Sequence, residues 1–282
     1  MFKTSLRFSS LLLCLAVAPV GLAEHDGHDG HDHHQAHHDP DAKAILKQVK
    51  ETVGSYADLK DKVDVEYTYT YRDNASGKSD VSTERYLFEG ELSWAKYTTS
   101  DKFVFPDRDG IAVQGWNGRE AWVTLDGQRV TDEDAVGLAK FLRPTNFYWF
   151  AMMQKLQDPG TLHEHLGTRE HEGVEYDEIK LTFDVPEGTA ADTYVLYVNP
   201  ETHLVDRFLF TVVDFGVVDT PFLMEVEHEA FGNIMLPVTR RYTPSDWEGN
   251  VPDDAVWVDE IMEDITFGKG FTAADFDPPS TD

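Results

Sequence analysis

The sequence holds almost no cysteine: a single one, Cys14, in 282 residues. Cys14 falls inside the apolar run Leu11–Val17, so a chain processed after that run has no disulfide and no thiolate for catalysis or metal binding. Positive charge is scarce as well. Against 52 Asp and Glu stand 24 Lys and Arg, a formal net charge of −28. A charge of that sign and size argues against nucleic acid and anionic membrane surfaces as partners. No apolar run approaches the about 20 residues that a membrane-spanning helix needs. The marks of catalysis are missing too. There is no Gly-x-Ser-x-Gly elbow and no Walker-type glycine loop. The stretch His171-Glu172-Gly173-Val174-Glu175 has a Glu where a metalloprotease helix needs its second His. Among 52 carboxylates a catalytic acidic pair cannot be told from a solvated surface. No enzymatic activity is expected, and no cofactor is required.

What the chain does have starts at its N-terminus. Lys3 and Arg7 precede the short apolar run, and Gly21-Leu22-Ala23 supplies small residues for cleavage. Residues 1–23 read as a cleaved secretory signal peptide, which implies a periplasmic or secreted protein. Residues 24–39 hold seven of the chain's twelve histidines: His25, His28, His31, His33, His34, His37 and His38, interleaved with Asp and Gly. No large apolar side chain accompanies them, so this tract is expected to be disordered by itself. Neutral imidazole is a ligand of Zn, Cu and Ni, and the tract is a candidate site for such a divalent metal. A solubilising linker is the plainer reading. Because the metal must displace protons, its affinity is expected to fall between about pH 7 and pH 5. The core of the folded part shows no comparable pH dependence in its sequence.

The folded part spans 40–274. Asp39 and Pro40 suit a helix start, and Ala42, Ile45, Leu46, Val49 and Val53 form one apolar stripe. From Val63 the period becomes two, with Val65, Tyr67, Tyr69 and Tyr71 alternating with polar residues. Short strands and tight turns follow, among them Asn117-Gly118, the strongest hairpin signal present. A helical stretch, Asp132–Leu142, and a second one beginning at Pro144 then interrupt the meander. Strands resume at Tyr176 and continue to Phe267. About ten antiparallel strands are expected, with residues 275–282 as a loose acidic tail. His163, Glu164, His165 and His171 offer a second metal set, but an exposed loop that happens to carry histidines is favoured there. His203 and His228 read as ordinary surface or packed residues.

The segment Phe147-Tyr148-Trp149-Phe150-Ala151-Met152-Met153 is apolar on nearly every side, as a helix buried in a core is. Aromatic walls and adaptable methionines also suit an acyl chain. The layout resembles the periplasmic lipoprotein-carrier superfamily with the LolA/LolB-like fold. The resemblance rests on the opening helix from Asp41, the run Trp94-Ala95-Lys96-Tyr97, and the hairpin Asn117-Gly118-Arg119-Glu120-Ala121-Trp122-Val123-Thr124. It extends to Gln128-Arg129-Val130-Thr131, Gly232-Asn233-Ile234-Met235-Leu236-Pro237 and Ile265-Thr266-Phe267. Asp158-Pro159-Gly160 and Tyr194–Thr202 look more like an uncharacterised secreted bacterial branch of that fold than like the carriers. The resemblance implies an α+β domain: an unclosed antiparallel half-barrel with an N-terminal helix and a central helical insertion over its concave face. It implies a lipid or other apolar ligand in a space beneath that insertion, with Trp94, Trp122, Phe147, Trp149, Phe150, Met152 and Met153 as walls. The superfamily's lid arginine has Arg85 as its candidate. The alternative is a metal-handling periplasmic protein whose folded domain has no lipid role.

Overall fold

The structure, a computed structural model, describes residues 39–279. The expected signal peptide and, apart from Asp39, the histidine tract lie outside the described residues. The first helix, α1 (Pro40–Val53), forms as its stripe dictates. The Asp39 side chain accepts the backbone N–H groups of Asp41 and Ala42, and Ala42, Leu46, Val49 and Val53 are buried. Gly54, at φ 86°, ends the helix in a conformation that favours glycine. One further turn of helix, α2 (Tyr56–Lys60), starts from a capping box between Ser55 and Asp58. Its five residues are too few to show a helical period in the sequence.

The sheet has thirteen strands, not about ten. They are β1 (Asp64–Asp73), β2 (Lys78–Leu87), β3 (Leu92–Ser100), β4 (Ala112–Trp116), β5 (Ala121–Leu125), β6 (Gln128–Val130), β7 (Thr161–His171), β8 (Val174–Phe183), β9 (Tyr194–Val198), β10 (Val205–Val212), β11 (Val217–Phe231), β12 (Ile234–Pro244) and β13 (Val258–Phe267). The order is β6-β5-β4-β3-β2-β1-β13-β12-β11-β10-β9-β8-β7. Every pairing is antiparallel, and the first and last strands meet in the middle. β6 and β7 remain as free edges, so the sheet is unclosed. The unexpected strand is β7, which its histidines and charges had marked as a loop. It is an edge strand with its polar residues outermost, where alternation of apolar residues is not demanded.

The remaining helix, α3 (Glu133–Lys155), joins the two edges. It packs against residues of β5 at one end and of β9 and β10 at the other. Those strands would lie about 43 Å apart in a flat sheet, yet α3 is only about 34 Å long. The sheet therefore curls around the helix, and α3 occupies its concave face. Two apolar clusters fill the space between them. One joins α1 and the C-terminal part of α3 to β8–β11; the other joins α2 and the middle of α3 to β1, β2, β12 and β13. No helix among the described residues is long and apolar enough to cross a membrane.

The end of the chain is held more firmly than expected. A buried Asp64 carboxylate accepts the backbone N–H groups of Lys269, Gly270 and Phe271 at 2.6–2.8 Å. Residues 273–276 form a 3-10 turn whose Phe276 is fully buried on the convex face. The tail expected to be loose from Asp275 is thus ordered through at least that turn.

Candidate ligand-binding site

The helix across the concave face forms because its first residues favour it. Asp132 caps it, accepting the Ala135 N–H at 3.1 Å, and Glu133 and Asp134 sit at its positive end. Pro144 lies inside α3 without dividing it, so the two helical segments read from sequence are one helix. Phe147 packs on Tyr86 with ring centroids 5.2 Å apart and on Phe88 at 6.2 Å. Phe150 meets Tyr67, Tyr86 and Phe88 at 5.2–6.1 Å. Trp149 stacks on Phe208 at 5.7 Å and meets Phe210 edge-on at 5.3 Å. Met152 and Met153 enter the cluster that α1 builds with Leu46, Val49 and Val53.

Five of the seven expected wall residues are therefore gathered by α3 on the concave face. Trp94 and Trp122 are not among them. They project from the convex face, where β3, β4 and β5 bring Trp94, Gly115 and Trp122 into one row. Trp122 donates its indole N–H to the Phe276 carbonyl at 2.8 Å, and Trp94 carries the Arg85 guanidinium over its ring at 4.4 Å. Arg85 also pairs with Glu66 at 2.8 Å. It faces away from α3 and is not a lid residue.

Among the described residues, the side chains of α3 that face the sheet are closely packed. Phe147, Phe150, Met152 and Met153 are at most 2% exposed, so protein atoms touch them on all sides. The gap between α1 and the end of α3, lined by Leu46, Val49, Met153 and Leu156, holds only about 10 Å³. Here α3 itself occupies the groove. Tyr148 and Trp149 are only half-buried, as are Phe222 and Tyr242 beside them. This aromatic seam is where the cover meets water.

Polar ties hold α3 down. Arg143, fully buried, donates to both Glu84 oxygens at 2.6 and 3.3 Å and to the Tyr97 hydroxyl at 2.9 Å. Ser82 and Tyr86 donate to the same carboxylate, and Tyr97 donates to Gln114. Burial disfavours the guanidinium charge, but Glu84 more than offsets this and the Arg143 pKa is raised. A second buried pair, Arg240–Glu260 at 2.8 Å, reaches α3 through Arg240, which donates to the Trp149 carbonyl at 2.7 Å. At the far end Gln154 donates to the Val53 and Met235 carbonyls, and Lys155 pairs with Glu91 and Asp158 at 2.6 and 2.7 Å.

Sequence reasoning missed this set, although one signal was present. Period two places Glu84 on the same face as Tyr86 and Phe88, and a carboxylate on an apolar face demands a partner. Arg143, just before Pro144, was that partner.

The histidines of the folded part do not converge. His163 lies 2.7 Å from the Leu156 carbonyl, and His165 Nε2 lies 3.2 Å from Asp177. Among the described residues no group of three or more metal-ligating side chains could hold an ion. His228 is packed within the sheet, and burial pushes its pKa down to about 4 despite the opposing Asp206 charge.

No protein-family model matches the sequence, and no curated protein matches it. Solved structures do share its shape. A DUF1329 family protein from Desulfovibrio piger superposes with a TM-score of 0.51 at 13% identity, covering 84% of this chain and 97% of that one. A putative outer membrane lipoprotein-sorting protein domain from Vibrio parahaemolyticus reaches 0.49 at 11% identity, covering 84% and 96%. A LolA superfamily protein from Nitrosomonas europaea reaches 0.48 at 13% identity, covering 84% and 97%. At these identities the likeness is one of fold alone. The unclosed sheet, the N-terminal helix and the helix laid across one face are the arrangement that the short motifs implied.

Proposed function

We propose that this chain is an exported, non-enzymatic binding protein that takes a lipid or similar apolar molecule between α3 and the concave face of the sheet. One observation carries the reading: a single helix, apolar towards the sheet, lies along the concave face of an unclosed half-barrel from β5 to β9 and β10. Such a sheet needs a filler for its concave face. An acyl chain can replace α3's contacts with the same aromatic and aliphatic surface. Each buried methylene contributes about 0.8 kcal/mol before ordering costs. Phe147, Trp149, Phe150, Met152 and Met153 are the α3 side chains such a ligand displaces or lies against. The half-buried seam at Tyr148, Trp149, Phe222 and Tyr242 is its point of entry. The lipoprotein-sorting and LolA superfamily descriptions of the similar structures agree with an apolar cargo, although they do not name one here. Native mass spectrometry of gently purified protein, with a fluorescent fatty-acid titration, tests the reading. Co-purified lipid or saturable binding supports it; neither lipid nor fatty-acid binding rejects it.

A second reading rests on the histidine density of residues 25–38: the chain binds Zn, Cu or Ni through that tract, as a metal-handling protein. Its test is a variant lacking residues 24–38. Equal Zn binding by that variant and the full chain would place the site elsewhere.

A further inference from the structure

We propose that the convex face of the sheet holds a binding site for a small oxyanion, a carboxylate or a phosphate group, with Arg207 on β10 as its anchor. The site lies on the opposite face from α3 and does not rest on the lipid reading. Arg207 precedes Phe208, which stacks on Trp149 in the concave face, so the arginine side chain points the other way. It is only 5% exposed. Buried arginines are ordinarily paired, because an uncompensated charge out of water is costly. Arg143 and Arg240 obey this, with glutamates at 2.6 and 2.8 Å. Arg207 does not. Among the described residues it has no hydrogen bond and no ion pair, and its guanidinium stands over the Tyr197 ring at 5.4 Å.

The carboxylates around it are already taken. Register sets Arg207 between Tyr197 on β9 and Glu225 on β11, with Glu178 of β8 beyond Tyr197. Glu178 pairs with Arg169 and Glu225 with Arg241, each at 2.6 Å. Asp206, next in the chain, accepts hydrogen bonds from Tyr176 and Asn199. Three guanidinium groups therefore share two glutamates, a local positive surplus in a chain of net charge −28. Salt attenuates the more distant acidic charge over about 10 Å. The Arg207 Nε is sealed from solvent, whereas its terminal amino groups are not, so the fork opens outward. A planar guanidinium fork matches the paired oxygens of a carboxylate or a phosphate. His171 stands at the edge of the site as a reporter. Burial holds its pKa down, and the Arg207 charge acts in the same direction, against Glu172, Glu225 and Glu170.

The test uses the full chain with sodium phosphate and sodium acetate as separate probes at constant ionic strength, followed by NMR at the Arg207 Nε–H and at the His171 ring. At least one salt is expected to shift the Arg207 signal saturably. Phosphate alone would assign the site to phosphate groups, acetate alone to carboxylates, and both to either. A bound anion offsets the Arg207 charge, so the His171 pKa should rise in the saturating salt. That readout uses the unaltered protein and does not depend on a variant folding. Arg207→Met keeps much of the packed stem and is expected to weaken anion binding about 10-fold or more. No saturable shift with either salt would overturn the proposal. So would an unmoved His171 under a saturating salt, or undiminished affinity in the variant.

Discussion

His228 shows what a single half-buried group does to the stability of the fold. Its folded pKa is about 4 against the ordinary 6.5. Between those values the unfolded chain binds a proton that the folded chain refuses. Stability is therefore fully present above about pH 6.5 and declines as pH falls towards 4, by about 3 kcal/mol in all. This corrects the expectation that the folded part lacks a pH dependence of its own. His228→Phe should flatten the decline, and urea midpoints at pH 7.5, 5.5 and 4.5 check it. An unchanged slope in the variant would assign the acid sensitivity to other groups. Gly115 is the second telling residue. A Cβ there would stand 2.3–2.5 Å from the Trp122 ring, so Gly115→Ala forces the indole off the strand row. A loss of about 1–3 kcal/mol is expected, with altered Trp fluorescence. Full stability would mean that the ring has room to shift. Neither residue announces itself in sequence: a lone histidine on a strand and a glycine between two tryptophans acquire meaning only from register.

At the scale of elements, α3 is decisive, and Arg143 is its main polar tie. Arg143→Met leaves the buried Glu84 carboxylate without its cation, which costs about 3–5 kcal/mol. Replacing both, Arg143→Met with Glu84→Leu, removes the unpaired charge and should recover most of that loss. Urea unfolding of the two variants distinguishes a paired charge from simple packing; equal losses in both would refute the pairing account. Legibility at this scale followed periodicity. The stripe of α1 and the alternation of β1 announced both elements, because one face of each is buried and the other wet. The two halves of α3 read as separate because proline usually stops a helix. Here the tertiary contacts of Phe147 and Phe150 on one side, and Ala139 and Arg143 on the other, hold the helix through it. β7 was hidden because an edge strand with polar outward residues lacks an apolar alternation.

For the molecule as a whole, the half-barrel architecture was legible through turns and short motifs, whereas of the seven residues named as walls five lie on α3 against the sheet and two lie on the opposite face. The two tryptophans went astray because a motif names residues without naming the face they occupy. The filled groove was not legible either, since apolar composition is the same for a helix that covers a cavity and one that replaces it. The remaining question is whether α3 yields to an apolar ligand. Hydrogen–deuterium exchange of the full chain, with and without a saturating long-chain fatty acid, addresses it directly. The account predicts that exchange changes on binding at residues 139–155 and at the facing strands β1, β2 and β10. The convex-face segment at residues 269–276 should stay as it was. Saturable binding with no change in α3, or no change anywhere under saturating ligand, would contradict it.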